Sequence, residues 1–174
     1  MTEKELQSRL FNYLSRFFNV ESEVKSTCHK RRIDLIIVHK SDISIKYPIG
    51  IEIKTFDKKT GSDAGKWLHQ AQAYAGLSWI GYDKAMIIVA PQFSERVFCE
   101  GELMHKHVID GHASPDHNVS TFLGQFDIGE FQTYEFTEWN KKIKFARIVY
   151  NGFIIWDERH NDFRTHNYDR LCKR

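Results

Sequence analysis

Apolar residues recur along the chain first at helical and then at strand spacing. Leu6, Leu10, Leu14 and Phe17 stand three and four positions apart, which predicts an amphipathic helix over about residues 3–18. Thr2 and Glu5 supply a T-x-x-E capping box at its start. Val20, Ser22 and Val24 alternate, so residues 20–27 suit a strand. Residues 33–38, Ile-Asp-Leu-Ile-Ile-Val, are short, apolar and β-branched, and predict a central strand bearing one aspartate. Residues 49–55 predict the next strand, with Pro48 at its entrance. Residues 64–79 suit a helix, and residues 85–90 a fourth buried strand stopped by Pro91.

The second half is less regular. Residues 94–107 suit a helix, and residues 110–118 are a loop by composition. Phe145–Tyr150 and Phe153–Trp156 flank Asn151-Gly152, the residue pair of a type I′ hairpin turn. Trp139 and Trp156 carry aromatic faces that could stack on bases, but near a hairpin they suit a core better. Helix, strand meander, crossover helix and further strand predict an α/β protein. It would have a central mixed β-sheet flanked by helices and a C-terminal β-hairpin extension. Residues 1–92 would form the core. Residues 93–174 would complete the sheet and add a substrate-selecting or dimer surface within the same compact domain.

Composition narrows the class. The 174 residues are 41% hydrophobic, which excludes a disordered chain, and the net charge of +2 excludes a polycationic DNA coat. The charge is uneven: residues 1–90 hold 14 Lys and Arg against 10 Asp and Glu, and residues 91–174 hold 11 against 13. Cys28, Cys99 and Cys172 form no C-x-x-C pair, so no zinc ribbon is offered, and scattered thiols suit a reducing cytoplasm. The charged N-terminus lacks the apolar stretch of a signal peptide, and no run has the length of a membrane span. His105, His107, His112, His117, His160 and His166 fit no zinc signature and suit loop positions.

Chemistry concentrates on two strands. Glu52 and Lys54 are two apart and project side by side, and Asp34 joins them if its strand is the neighbour. Two hard carboxylates and the carbonyl of Ile53 are suitable ligands for Mg²⁺ or Mn²⁺. A lysine beside them can orient or help deprotonate an attacking water and steady charge building on a phosphate. Taken alone, Asp34 could equally be a strand-end acid, and Glu52 and Lys54 an exposed ion pair.

This Asp…Glu-x-Lys arrangement behind an N-terminal helix resembles the PD-(D/E)XK nuclease superfamily over about residues 3–90. Ile33 stands where the family's proline is usual. Gln70 and Tyr74, one helical turn apart, are similar to the Q-x-x-x-Y motif of RecB-like members. The resemblance implies a restriction-endonuclease-like fold. It also implies a metal-dependent nuclease that hydrolyses DNA phosphodiester bonds, typically leaving a 5′-phosphate. Gln70 would hold the metal-water network or the scissile phosphate, and Tyr74 would support the DNA backbone. Family members often add a glutamate from the first helix. Glu3, which lies on the apolar face and matches the E-x-E-L spacing of archaeal Holliday-junction resolvases, is the expected added metal ligand, whereas Glu5 lies at the capping position. Glu3 also suits the helix dipole at that position without any metal.

Basic residues flank this set. Lys30, Arg31 and Arg32 precede Asp34, and Lys58, Lys59 and Lys66 follow the second strand, where they would neutralise phosphates. Two alternatives share the fold: a catalytically inactive DNA- or protein-binding module, and a dimeric, structure-selective junction resolvase. No G-x-x-x-x-G-K-[ST] motif is present, so ATP dependence would have to come from a partner such as a helicase or specificity subunit.

Overall fold

The computed structural model describes residues 2–54, 64–90, 98–99, 102–103 and 123–172. By its internal contacts the chain divides into two compact units, Met1–Val89 and Ala90–Arg174.

The first unit opens with α1 (Glu3–Leu14), whose capping box forms as the sequence predicts. Glu5 N–H donates to Thr2 Oγ1 at 3.2 Å, and Thr2 N–H donates to the Glu5 carboxylate at 2.8 Å. Leu6, Leu10 and Leu14 are its buried stripe. The helix ends four residues sooner than the apolar spacing suggests. Ser15 caps it, and its hydroxyl donates back to the Phe11 carbonyl at 2.8 Å. The period then shifts to that of a strand, and Phe18 rather than Phe17 is buried, edge-on to His39 at 5.3 Å.

Four strands follow: β1 (Phe18–Lys25), β2 (Arg32–His39), β3 (Ile49–Ile53) and β4 (Met86–Ala90), in spatial order β1-β2-β3-β4. β1 and β3 both run antiparallel to β2. Between β3 and β4 comes α2 (Ala64–Ala75), the kind of crossover that parallel neighbours need. The unit is therefore α/β, with strands of mixed connection. Every residue of β3 and β4 is buried, as is the run Leu35–His39 of β2, which explains why these strands read as continuous apolar runs. Gly50 permits this closeness: a Cβ there would lie 2.6 Å from Ile33 Cδ1 and 2.9 Å from Ile87 Cδ1.

In the second unit, β5 (Phe98–Cys99) and β6 (Glu102–Leu103) pair antiparallel where a helix over 94–107 was expected. Gly101 weakens any helix there, and Phe98 favours a strand. The predicted loop 110–118 lies outside the described residues. β7 (Gly129–Glu138), β8 (Lys141–Tyr150), β9 (Phe153–Asp157) and β10 (Asp162–Phe163) then form a meander. Asn151 and Gly152 both have positive φ, +48° and +77°, the geometry of the predicted turn. The β7–β8 connection uses the same geometry at Trp139 and Asn140, φ +49° and +60°. Trp139 thereby stands 91% exposed, while Trp156 is fully buried. Asp157 holds this unit together through Arg147 Nε at 2.8 Å and Arg159 Nη2 at 2.9 Å, and both guanidinium groups lie over the Phe145 ring. A last helix, α3 (Thr165–Cys172), packs on β9 with Tyr168 and Leu171 buried. No described helix is long and apolar enough to cross a membrane.

The tight fit at Gly50 has a measurable consequence. Gly50→Ala should cost about 1–3 kcal/mol by overpacking. Gly76→Ala, where a Cβ meets nothing within 4 Å, should be neutral or slightly stabilising. Urea midpoints of the two variants check this, and equal midpoints would contradict it.

Candidate active site

The β2–β3 ladder pairs Leu35 with Ile51, Ile36 with Gly50 and Ile37 with Ile49. Continuing it one step sets Asp34 opposite Glu52. The two acids are thus brought together by register, at the end of the ladder. Asp34 Oδ2 accepts the Ile53 N–H at 2.7 Å, which ties the aspartate to the residue between Glu52 and Lys54.

Glu52 is 2% exposed. Its Oε1 accepts from Lys54 Nζ at 3.0 Å and from Gln70 Nε2 at 2.7 Å. Gln70 sits on α2 and donates also to Tyr74 Oη at 2.8 Å. The Tyr74 hydroxyl in turn donates to the Arg32 carbonyl at 3.0 Å. A continuous hydrogen-bonded chain therefore runs from the backbone beside Asp34, through α2, to Glu52. Tyr74 is buried with its hydroxyl fully engaged, and Trp79 stands edge-on to its ring at 5.4 Å. In this arrangement the Tyr74 hydroxyl holds the Gln70 side chain in place.

Electrostatics follow from this burial. Burial, then the Asp34 carboxylate, push Glu52 up from 4.5 to about 7, against the pull of Lys54. Burial likewise raises Asp34, although the Ile53 N–H and Lys54 oppose it. Burial disfavours the Lys54 ammonium, but Glu52, Glu3 and Asp34 outweigh that and hold it above the ordinary lysine value. Lys54 is accordingly a cation at neutral pH, suited to donating hydrogen bonds rather than removing protons.

The two helix glutamates separate clearly. Glu5 is committed to the cap, and its hydrogen bonds with Thr2 hold its carboxyl below the usual range. Glu3 reaches Lys54 Nζ at 3.9 Å. Among the described residues no group of three or more His, Cys, Asp and Glu side chains is gathered as a metal cluster. Glu3 therefore adjoins the site through Lys54, and its charge also acts on Asp34 and Glu52. Lys30 and Arg31 are exposed beside β2, and Arg32 pairs with Glu23. Lys58 and Lys59 lie outside the described residues, as does the side chain of Lys66. Of the second-half histidines, His160 and His166 are exposed, and the others lie outside the described residues.

Two residues join the site without a sequence signal. Glu23 falls opposite Asp34 in the β1–β2 register, yet its φ of +58° puts it in the left-handed region, and the ladder passes over it. Gln7, on α1, donates through Nε2 to Glu23 Oε1 at 2.9 Å and to the Asp34 carbonyl at 3.0 Å. A cleft of about 740 Å³ opens here, with Glu3, Gln7 and Phe11 on one wall and Glu23, Asp34 and Ile53 among the residues opposite.

No family model, curated protein or solved structure matches the chain.

The buried acid makes stability depend on pH. A group whose folded-state pKa is raised favours folding below its unfolded value and loses that advantage as pH climbs through the folded one. Without divalent cations, Glu52 should therefore cost stability progressively from about pH 4.5 to 7. Glu52→Gln should flatten that part of the profile and be more stable than the parent at pH 8, by about 1–3 kcal/mol. Urea unfolding at pH 5 and pH 8 measures it; an unchanged slope would show that Glu52 is not the origin.

Proposed function

We propose that the protein is a metal-dependent deoxyribonuclease of the PD-(D/E)XK type, hydrolysing DNA phosphodiester bonds. The observation that carries this reading is the pairing of Asp34 and Glu52 on adjacent strands with the Lys54 ammonium 3.0 Å from Glu52. The donor set fits a hard divalent cation. Two desolvated carboxylates repel one another, and both are pushed towards protonation. A cation between them would reverse both shifts and relieve the repulsion. Asp34, Glu52 and the carbonyl of Ile53 would hold Mg²⁺ or Mn²⁺, with Glu3 near enough to Lys54 to add charge. Such an ion polarises a phosphoryl oxygen and lowers the pKa of a bound water.

The chain's own groups divide the remaining work. Lys54 supplies positive charge for the oxygens of the phosphate as negative charge builds. Gln70 fixes the orientation of Glu52, and Tyr74 fixes Gln70. Lys30 and Arg31 offer phosphate contacts that place the strand without reading sequence.

A competing reading is a binding module without catalysis. It is favoured by Glu52 Oε1 being satisfied already by Lys54 and Gln70. A Mn²⁺ titration separates the two: DNA binding without Mn²⁺ binding would favour the module.

Asp34→Asn, Glu52→Gln and Lys54→Met should each lower Mg²⁺-dependent cleavage by at least about a hundredfold while the circular dichroism spectrum is unchanged, the scale expected for loss of a group that stabilises developing charge. A panel of single-stranded, duplex, nicked and four-way DNA, plus RNA, gives the readout. Normal cleavage by all three variants would refute the assignment, and preference for the four-way junction would identify a resolvase.

A further inference from the structure

The cleft beside Asp34 extends past the proposed metal residues, along α1, to groups given no role above. Asp34 and Ile53 are among its lining residues, so whatever occupies it adjoins the proposed scissile phosphate. Its volume of about 740 Å³ falls within the range of small-molecule sites. Along α1 the wall residues Glu3, Gln7 and Phe11 are four apart, so they line one stripe of the helix, about 12 Å long at the standard rise. This stripe is distinct from the buried one made by Leu6, Leu10 and Leu14.

Charge argues against a second phosphate in this cleft. Glu3, Glu23 and Asp34 line it against only Lys4 and Arg32, and Arg32 is already paired with Glu23. A neutral group suits it better. Phe11 is half-buried on the wall, an aromatic ring on an otherwise polar stripe. Gln7 adds a fixed acceptor. Its two neighbours, a carboxylate and a carbonyl, can only accept, so the amide NH₂ must face them and the amide oxygen is left for a donor. A flat ring to stack upon, a fixed hydrogen-bond acceptor and an adjoining phosphate site together describe a nucleotide.

We propose that this cleft receives the base and sugar of one unstacked nucleotide next to the phosphate under attack, so that the substrate is an unpaired strand or frayed end and not intact duplex. The proposal rests on the nuclease reading for its phosphate end. A base inside a continuous duplex is stacked on both sides and cannot enter a walled cleft. An unpaired base gives up little to do so. The strained backbone at Glu23 belongs to this arrangement: in a regular strand Glu23 would stand beside Asp34, whereas the left-handed turn carries it to Arg32 and Gln7, on the cleft wall.

The test uses small probes, so it does not depend on cleavage. Binding of deoxyadenosine 5′-monophosphate and of abasic deoxyribose 5-phosphate is measured by calorimetry on the full chain with Mg²⁺. The nucleotide should bind about tenfold more tightly, the scale of one aromatic stack on a base. Phe11→Leu, which keeps an apolar side chain, should erase that ratio, and Phe11→Trp should preserve it. Cleavage should follow the same order, with Phe11→Leu losing single-strand preference over duplex. Equal binding of the two probes, or an unaltered ratio in Phe11→Leu, overturns the cleft assignment even if the enzyme cuts DNA. Base-dependent binding without any cleavage upholds the cleft and refutes the nuclease.

Discussion

The antiparallel register of β2 and β3 is the constraint on which the site depends. With Leu35 fixed against Ile51, Asp34 and Glu52 must stand opposite one another, and a slip by one residue would turn one of them into the core. The register is itself fixed by burial. Ile36, Ile37, Ile49 and Ile51 are fully buried, and Gly50 lets Ile33 and Ile87 close over β3. The same packing that holds the carboxylates together also strips them of water. Their raised pKa values are thus a consequence of the core and not a separate feature of the site.

The surrounding groups make sense as responses to that burial. A carboxylate as enclosed as Glu52 requires partners, and it has Lys54 from its own strand and Gln70 from α2. Gln70 in turn needs a fixed geometry, which the Tyr74 hydroxyl and the Arg32 carbonyl supply. The motif Gln70-x-x-x-Tyr74 therefore describes a positioning chain, with its outermost member hidden behind the one that matters.

Much of this first unit was legible because each feature had a local cause. The capping box at Thr2 and Glu5, the stripe from Leu6 to Leu14, and the apolar runs of β2, β3 and β4 each depend on neighbours a few positions away. Asp34 and Glu52-x-Lys54 stood out because charges inside buried strands are rare. What escaped was conformational or long-range. The Trp139-Asn140 turn lacks the glycine that advertises a type I′ pair. α3 is a short helix with a polar opening turn, and its identity depends on packing against β9. The position of Glu23 depends on a positive φ that strand alternation does not predict. Gln7 and Phe11 lie on the polar face of an amphipathic helix, where a cleft and solvent look alike until the opposite wall is known.

The net charge of +2 takes its meaning from the same local geometry. Residues 29–66 contain nine Lys and Arg against five Asp and Glu, and two of those five acids are Asp34 and Glu52. A bound divalent cation would neutralise that pair and leave the surrounding segment attractive to phosphate, while the cleft beyond Asp34 would keep its acids. The field would then change sign across a single residue. A phosphate would be drawn to the Lys54 side, and the nucleotide's neutral end would be the part left to lie along α1. Phosphate attraction on one side and exclusion on the other would orient a strand without reading its sequence.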